Sequence, residues 1–381
     1  VGVPGKSAGR FTLRPLRSSA VTFGKTTSAC AVVDRTIITS TTKVRIMVLS
    51  LLDRFSIVYS EPSSHWITCN LPEFLSNQIK FVKGISMFIA TLLCKPGMKA
   101  LIPSLTQSLM SAWGGRNLIW LAAMEAVEFE LLARPKNLWK VWADMQELGV
   151  DLIVQPEAGR QKKMLLADMD STMIEQECID ELAKEAGVGA RVSDITARAM
   201  NGDLEFEQAL RERVGLLKGL TKEIIAKVYQ KKITFTPGGE VLVATMRAHK
   251  GYTTLVSGGF TDFTRLVAAK LGFHEHRANT LLYANGALNG QIVTPILGRK
   301  EKVTALYEIT AAQGLNADDV LAVGDGANDL GMLQSAGTGV ALHAKPTVQS
   351  QVSVRVNHGD LTALLYLQGY LKSEFVIPHS V

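Results

Sequence analysis

The sequence is short of cysteine, of long apolar runs and, over its first 86 residues, of acids. Four cysteines in 381 residues (Cys30, Cys69, Cys94, Cys178) stand far apart, with no CxxC pair. That spacing excludes a zinc ribbon and a disulfide framework, and it fits a reducing compartment such as the cytoplasm. The longest candidate for a membrane span, residues 44–52 ("VRIMVLSLL"), contains Arg45 and falls well short of the roughly 20 apolar residues a span requires. With 47% hydrophobic and 20% charged residues, the chain reads as globular and is long enough for two or three domains.

A formal net charge of +6 suggests nucleic acid until it is located. Residues 1–86 hold 11 Lys and Arg against 4 Asp and Glu, whereas the rest of the chain holds 30 against 31. The basicity belongs to the leader, which lacks the aromatic–basic interleaving of a nucleic-acid surface. No nucleic-acid or membrane partner is expected.

Three regions follow along the chain. Residues 1–86 are rich in Ser and Thr and poorly patterned: "TTSAC", "ITSTTK" and "EPSSHW" read as loop, and no amphipathic Arg helix marks a transit peptide. An overextended start, with the natural protein beginning near Met87, is the expectation. Residues 87–158 read as strand, helix, one or two strands, helix and strand, the order of a small α+β, ferredoxin-like module. It carries no catalytic constellation. Dimer contact, hence a homodimer, or small-molecule regulation are its expected uses, alongside bare docking. From residue 162 onward strands alternate with helices, which predicts a doubly wound parallel α/β sheet. The helical block at about 177–235 is too long for one crossover and reads as an inserted cap. A hairpin is expected through "RANTLLYANGALNGQIV".

The stretch "KKMLLADMDSTMIEQE" (residues 162–177) runs a buried-looking strand into Asp168 and Asp170. Two more polar clusters end apolar strands: Ser257-Gly258-Gly259, and residues 324–329, "GDGAND", with Asp325 and Asp329. Any one alone reads as a turn. Three in one sheet read as a site, because ligands of open α/β sheets bind outside the carboxyl ends of the strands. Four carboxylates converging on one mouth call for a hard divalent cation with oxygen ligands, and Mg²⁺ suits a phosphate-binding setting. Ser257 and the glycine N–H groups offer donors to phosphate oxygens, and Lys302 a cation.

The set "DMDST", "VSGG", a lysine and "GDGANDLGM" resembles the haloacid dehalogenase-like superfamily of phosphatases. "DMDSTMIEQECIDELAKEAG", "ITARAMNGDLEFEQALRERVGLLKGL" and "VSGGF" narrow the resemblance to the phosphoserine phosphatase family with its small helical cap, over residues 162 to about 368. It implies Mg²⁺-dependent hydrolysis of O-phosphoserine, the last step of serine biosynthesis. Asp168 would be the nucleophile and Asp170 the general acid, then base. Metal would sit on Asp168, the Asp170 carbonyl and Asp325, with Asp329 in support. Ser257, Gly258 and Lys302 would hold the phosphoryl oxygens, with Asn328 nearby. Glu177 and Arg213 would read the amino and carboxylate groups. Carboxylate attack needs an ionised Asp168, so metal and Lys302 are expected to keep its pKa low, while Asp170 keeps a proton part of the time. Other readings remain: a phosphatase or phosphotransferase on another small phosphate ester, or an amino-acid-binding sensor with a vestigial core.

Overall fold

The structure, a computed structural model, describes residues 87–200 and 203–378 together with the backbone of four strands between residues 31 and 70. The chain divides into two compact units, Val1–Ile85 and Ser86–Val381. In the first, strands β1 (Ala31–Val32), β2 (Ile46–Leu51), β3 (Arg54–Ser60) and β4 (Trp66–Asn70) pair antiparallel in that order. The Ser/Thr-rich stretches at 26–30, 38–43 and 61–65 lie outside the described residues.

The second unit opens with β5 (Phe88–Cys94), a helix Pro103–Ala112, β6 (Arg116–Ala122), β7 (Ala126–Leu131), a helix Leu138–Glu147 and β8 (Val150–Pro156). The sheet order β6-β7-β5-β8 is antiparallel throughout and gives the ferredoxin-like fold. One face of this sheet, with Ala90, Leu92, Val127, Phe129 and Leu152, packs with the two helices. The other face places Leu93, Leu121, Ala126 and Ile153 in the same core as Leu361, Leu364 and Tyr366 near the C-terminus. Alternation with period two assigns each residue to its side.

Six strands then form a wholly parallel sheet ordered β11-β10-β9-β14-β15-β16: Glu275–Asn279, Tyr252–Phe260, Met164–Ala167, Val320–Gly324, Thr338–Leu342 and Val354–Val356. β9 and β14 are continuous apolar runs because both their faces are covered. Leu165, Ala167, Leu321 and Val323 enter one core, while Met164, Leu166, Val320 and Ala322 enter the other. The cap between β9 and β10 contains helices Cys178–Glu185, Gly189–Met200, Phe206–Leu216 and Lys222–Lys232.

The hairpin expected from residue 277 onward is corrected in part. Residues 277–279 belong to the parallel edge strand β11, and the hairpin is β12 (Leu281–Ala284) with β13 (Ala287–Ile292). It joins the cap: Gly219 N–H donates to Leu288 C=O at 2.9 Å, and Leu288 N–H returns a bond to Leu220 at 2.8 Å. Among the described residues no helix is long and apolar enough to cross a membrane.

Candidate active site

β9 and β14 lie side by side at the middle of the sheet, so the carboxylates that follow them meet. Asp168 N–H still donates to Val323 C=O at 3.0 Å, holding the two strand ends in register. Carboxylate oxygens of Asp168, Asp325 and Asp329 come within 4.8 Å of one another. Asp168 and Asp329 are buried, and so is Lys302 from helix Arg299–Ala312. Lys302 Nζ donates at 2.5 Å to Asp168 Oδ1 and at 2.5 Å to Asp329 Oδ1. Gly326 N–H donates to Asp329 Oδ2 at 3.0 Å, and Thr172 Oγ1 to Asp325 Oδ1 at 3.3 Å. The fold leaves room for this packing only because position 324 is glycine; a Cβ there would lie 2.5 Å from the Asp329 carboxyl carbon.

Asp168, Asp325 and Asp329 form the tight cluster, and Asp170 stands beside it: its Oδ2 lies 2.9 Å from where a Cβ on Gly259 would stand, with Ser257 Oγ 3.0 Å from the same point. Asp170 Oδ1 is buried with no hydrogen-bond partner. Burial, with Glu177 nearby, pushes the Asp170 carboxyl up to about 8. Burial and Asp329 also push Asp168 well above the usual carboxylate range, against the pull of Lys302. Burial and Asp329 raise Asp325 to about 6. Lys302 lowers Asp168, as expected, but burial first and then Asp329 outweigh it. The donor set therefore fits a further hard cation, whose charge would restore ionisation.

Ser257 and Gly258 lie near the carboxyl end of β10, beside Asp170. Gly259 N–H donates to Ser257 Oγ at 2.9 Å. Asn328 Nδ2 stands 3.7 Å from the Cβ position of Gly258. Glu177 is exposed, and its Oε1 accepts from Ser171 Oγ at 2.7 Å. Arg213 is half-buried on the cap, its Nη1 3.4 Å from Thr196 Oγ1, with Asp180 and Glu177 close enough to act on its charge.

A model of the haloacid dehalogenase-like hydrolase family matches residues 165–334. The phosphoserine phosphatase of Archaeoglobus fulgidus is 40% identical over 223 residues, covering 58% of this chain and 64% of that protein. The phosphoserine phosphatase of Lactococcus lactis is 42% identical over 204 residues, covering 54% of this chain and 94% of that one. The chain belongs to the phosphoserine phosphatase family of haloacid dehalogenase-like hydrolases. A solved phosphoserine phosphatase carrying a phospho-aspartyl intermediate analogue superposes with a TM-score of 0.51 at 39% identity, over 54% of this chain and 98% of that one. The chain spans less than two thirds of the Archaeoglobus protein's length.

Within this family frame, sequence reasoning missed three residues. Thr172, which fixes Asp325, sat in plain view in "DMDST". Phe206 opens a cap helix, and its ring comes 3.7 Å from the Cβ position of Gly258 and 3.1 Å from that of Gly298. Its one signal was an aromatic beside the acid-rich turn "GDLEFE". Asn279 is the third.

Proposed function

We propose that the chain hydrolyses O-phosphoserine to serine and phosphate. The observation that carries the reading is the pair Asp168 and Asp170, neighbours in sequence with opposite surroundings. Asp168 is fastened through Oδ1 to Lys302, which leaves its other oxygen to attack phosphorus and form an aspartyl-phosphate. Asp170, raised to about 8, holds a proton at neutral pH. It can give that proton to the departing serine oxygen and then take one from the attacking water. Ser257, Lys302 and the Gly258 backbone would hold the phosphoryl oxygens, with Asn328 beside them. Asp168, the Asp170 carbonyl, Asp325 and Asp329 would hold Mg²⁺, which when bound supplies charge to offset the phosphoryl oxygens. Glu177 and Arg213, with opposite charges on the cap, suit the ammonium and carboxylate of the amino acid.

The test is phosphate release from O-phosphoserine, phosphoethanolamine and phosphoglycolate, with Mg²⁺ or chelator. Phosphoserine turnover that stops in chelator is expected. The analogues each leave one charged partner unmatched, which costs about 2–5 kcal/mol, so each should be roughly 30-fold slower or worse. Equal turnover of all three would replace this reading with a phosphatase for small phosphate esters in general.

A further inference from the structure

We infer that Asn279 is a positioning residue that sets the donor direction of the phosphoryl cradle. Asn279 ends β11, 3% exposed, and its side-chain amide uses both of its ends. Nδ2 donates to Gly258 C=O at 2.8 Å and to Leu297 C=O at 3.2 Å, while Oδ1 accepts from Leu297 N–H at 2.6 Å. One side chain thus joins the end of β10, just after Ser257, to the loop that begins the Lys302 helix. That helix starts at Gly298, whose C=O accepts from Lys302 N–H at 3.0 Å.

The consequence lies in the peptide between Gly258 and Gly259. A trans peptide points its C=O and N–H in opposite directions. With the Gly258 carbonyl held by Asn279, the Gly259 N–H is aimed the other way, and it donates to Ser257 Oγ at 2.9 Å. A serine hydroxyl that accepts on one side keeps its hydrogen free to donate on another. Asn279 therefore makes Ser257 a donor towards the site and sets its separation from Lys302. Aspartate has the same shape but no N–H, so it would face two carbonyls without a donor.

The inference rests on the phosphatase reading only in that a phosphoryl group occupies the cradle; it uses nothing of the serine end. The test compares Asn279→Asp and the milder Asn279→Ser with the full chain, using O-phosphoserine, 4-nitrophenyl phosphate and inhibition by inorganic phosphate. Both substrates should lose kcat/KM by a common factor of about ten- to hundredfold, the range for losing buried hydrogen bonds. The inhibition constant of phosphate should rise with them. In a Ser257→Ala background, Asn279→Ser should cost little more. Phosphate-induced stabilisation in Mg²⁺, read as a Tm shift, gives the same comparison without turnover, including for a wild type inactive on phosphoserine. A lowered Tm with phosphate affinity and kcat/KM intact would reduce Asn279 to a structural role. A loss confined to phosphoserine would move its action to the amino-acid end.

Discussion

The ferredoxin-like module and the phosphatase core both bury carboxylates, and they treat them in opposite ways. In the module every such group is met by fixed donors. Asp151, fully buried, accepts from the backbone N–H groups of Asn357, His358 and Gly359 at 2.8, 3.0 and 2.8 Å. Glu128 is gripped by both ends of the Arg160 guanidinium at 2.6 and 2.9 Å. Glu125 takes the Tyr366 hydroxyl and the Lys372 ammonium, each at 2.7 Å. In the core, Asp168, Asp325 and Asp329 crowd together with one lysine, and Asp170 Oδ1 has no partner. A carboxylate whose needs are met by the protein is a strut; one left wanting is available for chemistry.

Breaking the wanting side has the largest expected effect. Asp168→Asn removes the proposed nucleophile but also one charge from a crowded cluster. Phosphate release should fall by at least about 10⁴-fold, as when a covalent nucleophile is lost elsewhere. Without divalent cations its Tm should match or exceed the wild type. Phosphate release at even a hundredth of the wild-type rate from the purified variant would exclude Asp168 as the attacking group.

Breaking the met side should do the reverse. Asp151→Ala takes the acceptor from three backbone N–H groups, that of Gly359 buried and those of Asn357 and His358 part-buried; a buried unsatisfied N–H costs about 1–3 kcal/mol, so unfolding in urea should show a loss of about 2 kcal/mol or more. Asp151→Asn keeps one acceptor oxygen and should lose less. Below the melting transition, kcat per folded molecule should stay within about twofold of wild type for both. A kcat that dropped with the contact would make the module part of the catalytic apparatus.

The difference between strut and site was only half legible in the sequence. Strand periodicity and three polar strand ends located the mouth, because β9, β10 and β14 are local apolar runs that announce themselves. The resemblance then singled out Asp168, Asp170, Lys302 and their neighbours. What spacing could not carry was direction: Asp168 and Asp170 are two residues apart, yet one faces Lys302 and the other Gly259. Asn279 was hidden because its partners lie 18 and 21 residues away, in the loop before the Lys302 helix and at the end of β10. Asp151 was hidden more deeply, because its donors are more than 200 residues distant. Local pattern reports which face is apolar and is silent on which distant N–H a buried carboxylate will meet.

The smallest expected effect sharpens the contrast without changing a residue. Asp170 is raised to about 8 and Asp325 to about 6 in the folded protein, both above their ordinary value near 4. The folded form then binds protons more tightly than the unfolded chain, so protonation stabilises it. That stability is complete at pH below about 4 and is lost as pH rises through about 6 and then about 8. In chelator, Tm should fall between pH 5.5 and 8.5. A divalent cation binds the ionised carboxylates, so its stabilisation grows as protons leave. The Mg²⁺-induced gain in Tm should therefore be greater at pH 8 than at pH 6, by a few degrees for a domain of this size. A chelated Tm that rose across the same window would mean that the core carboxylates ionise freely, and the contrast with the module would rest on geometry alone.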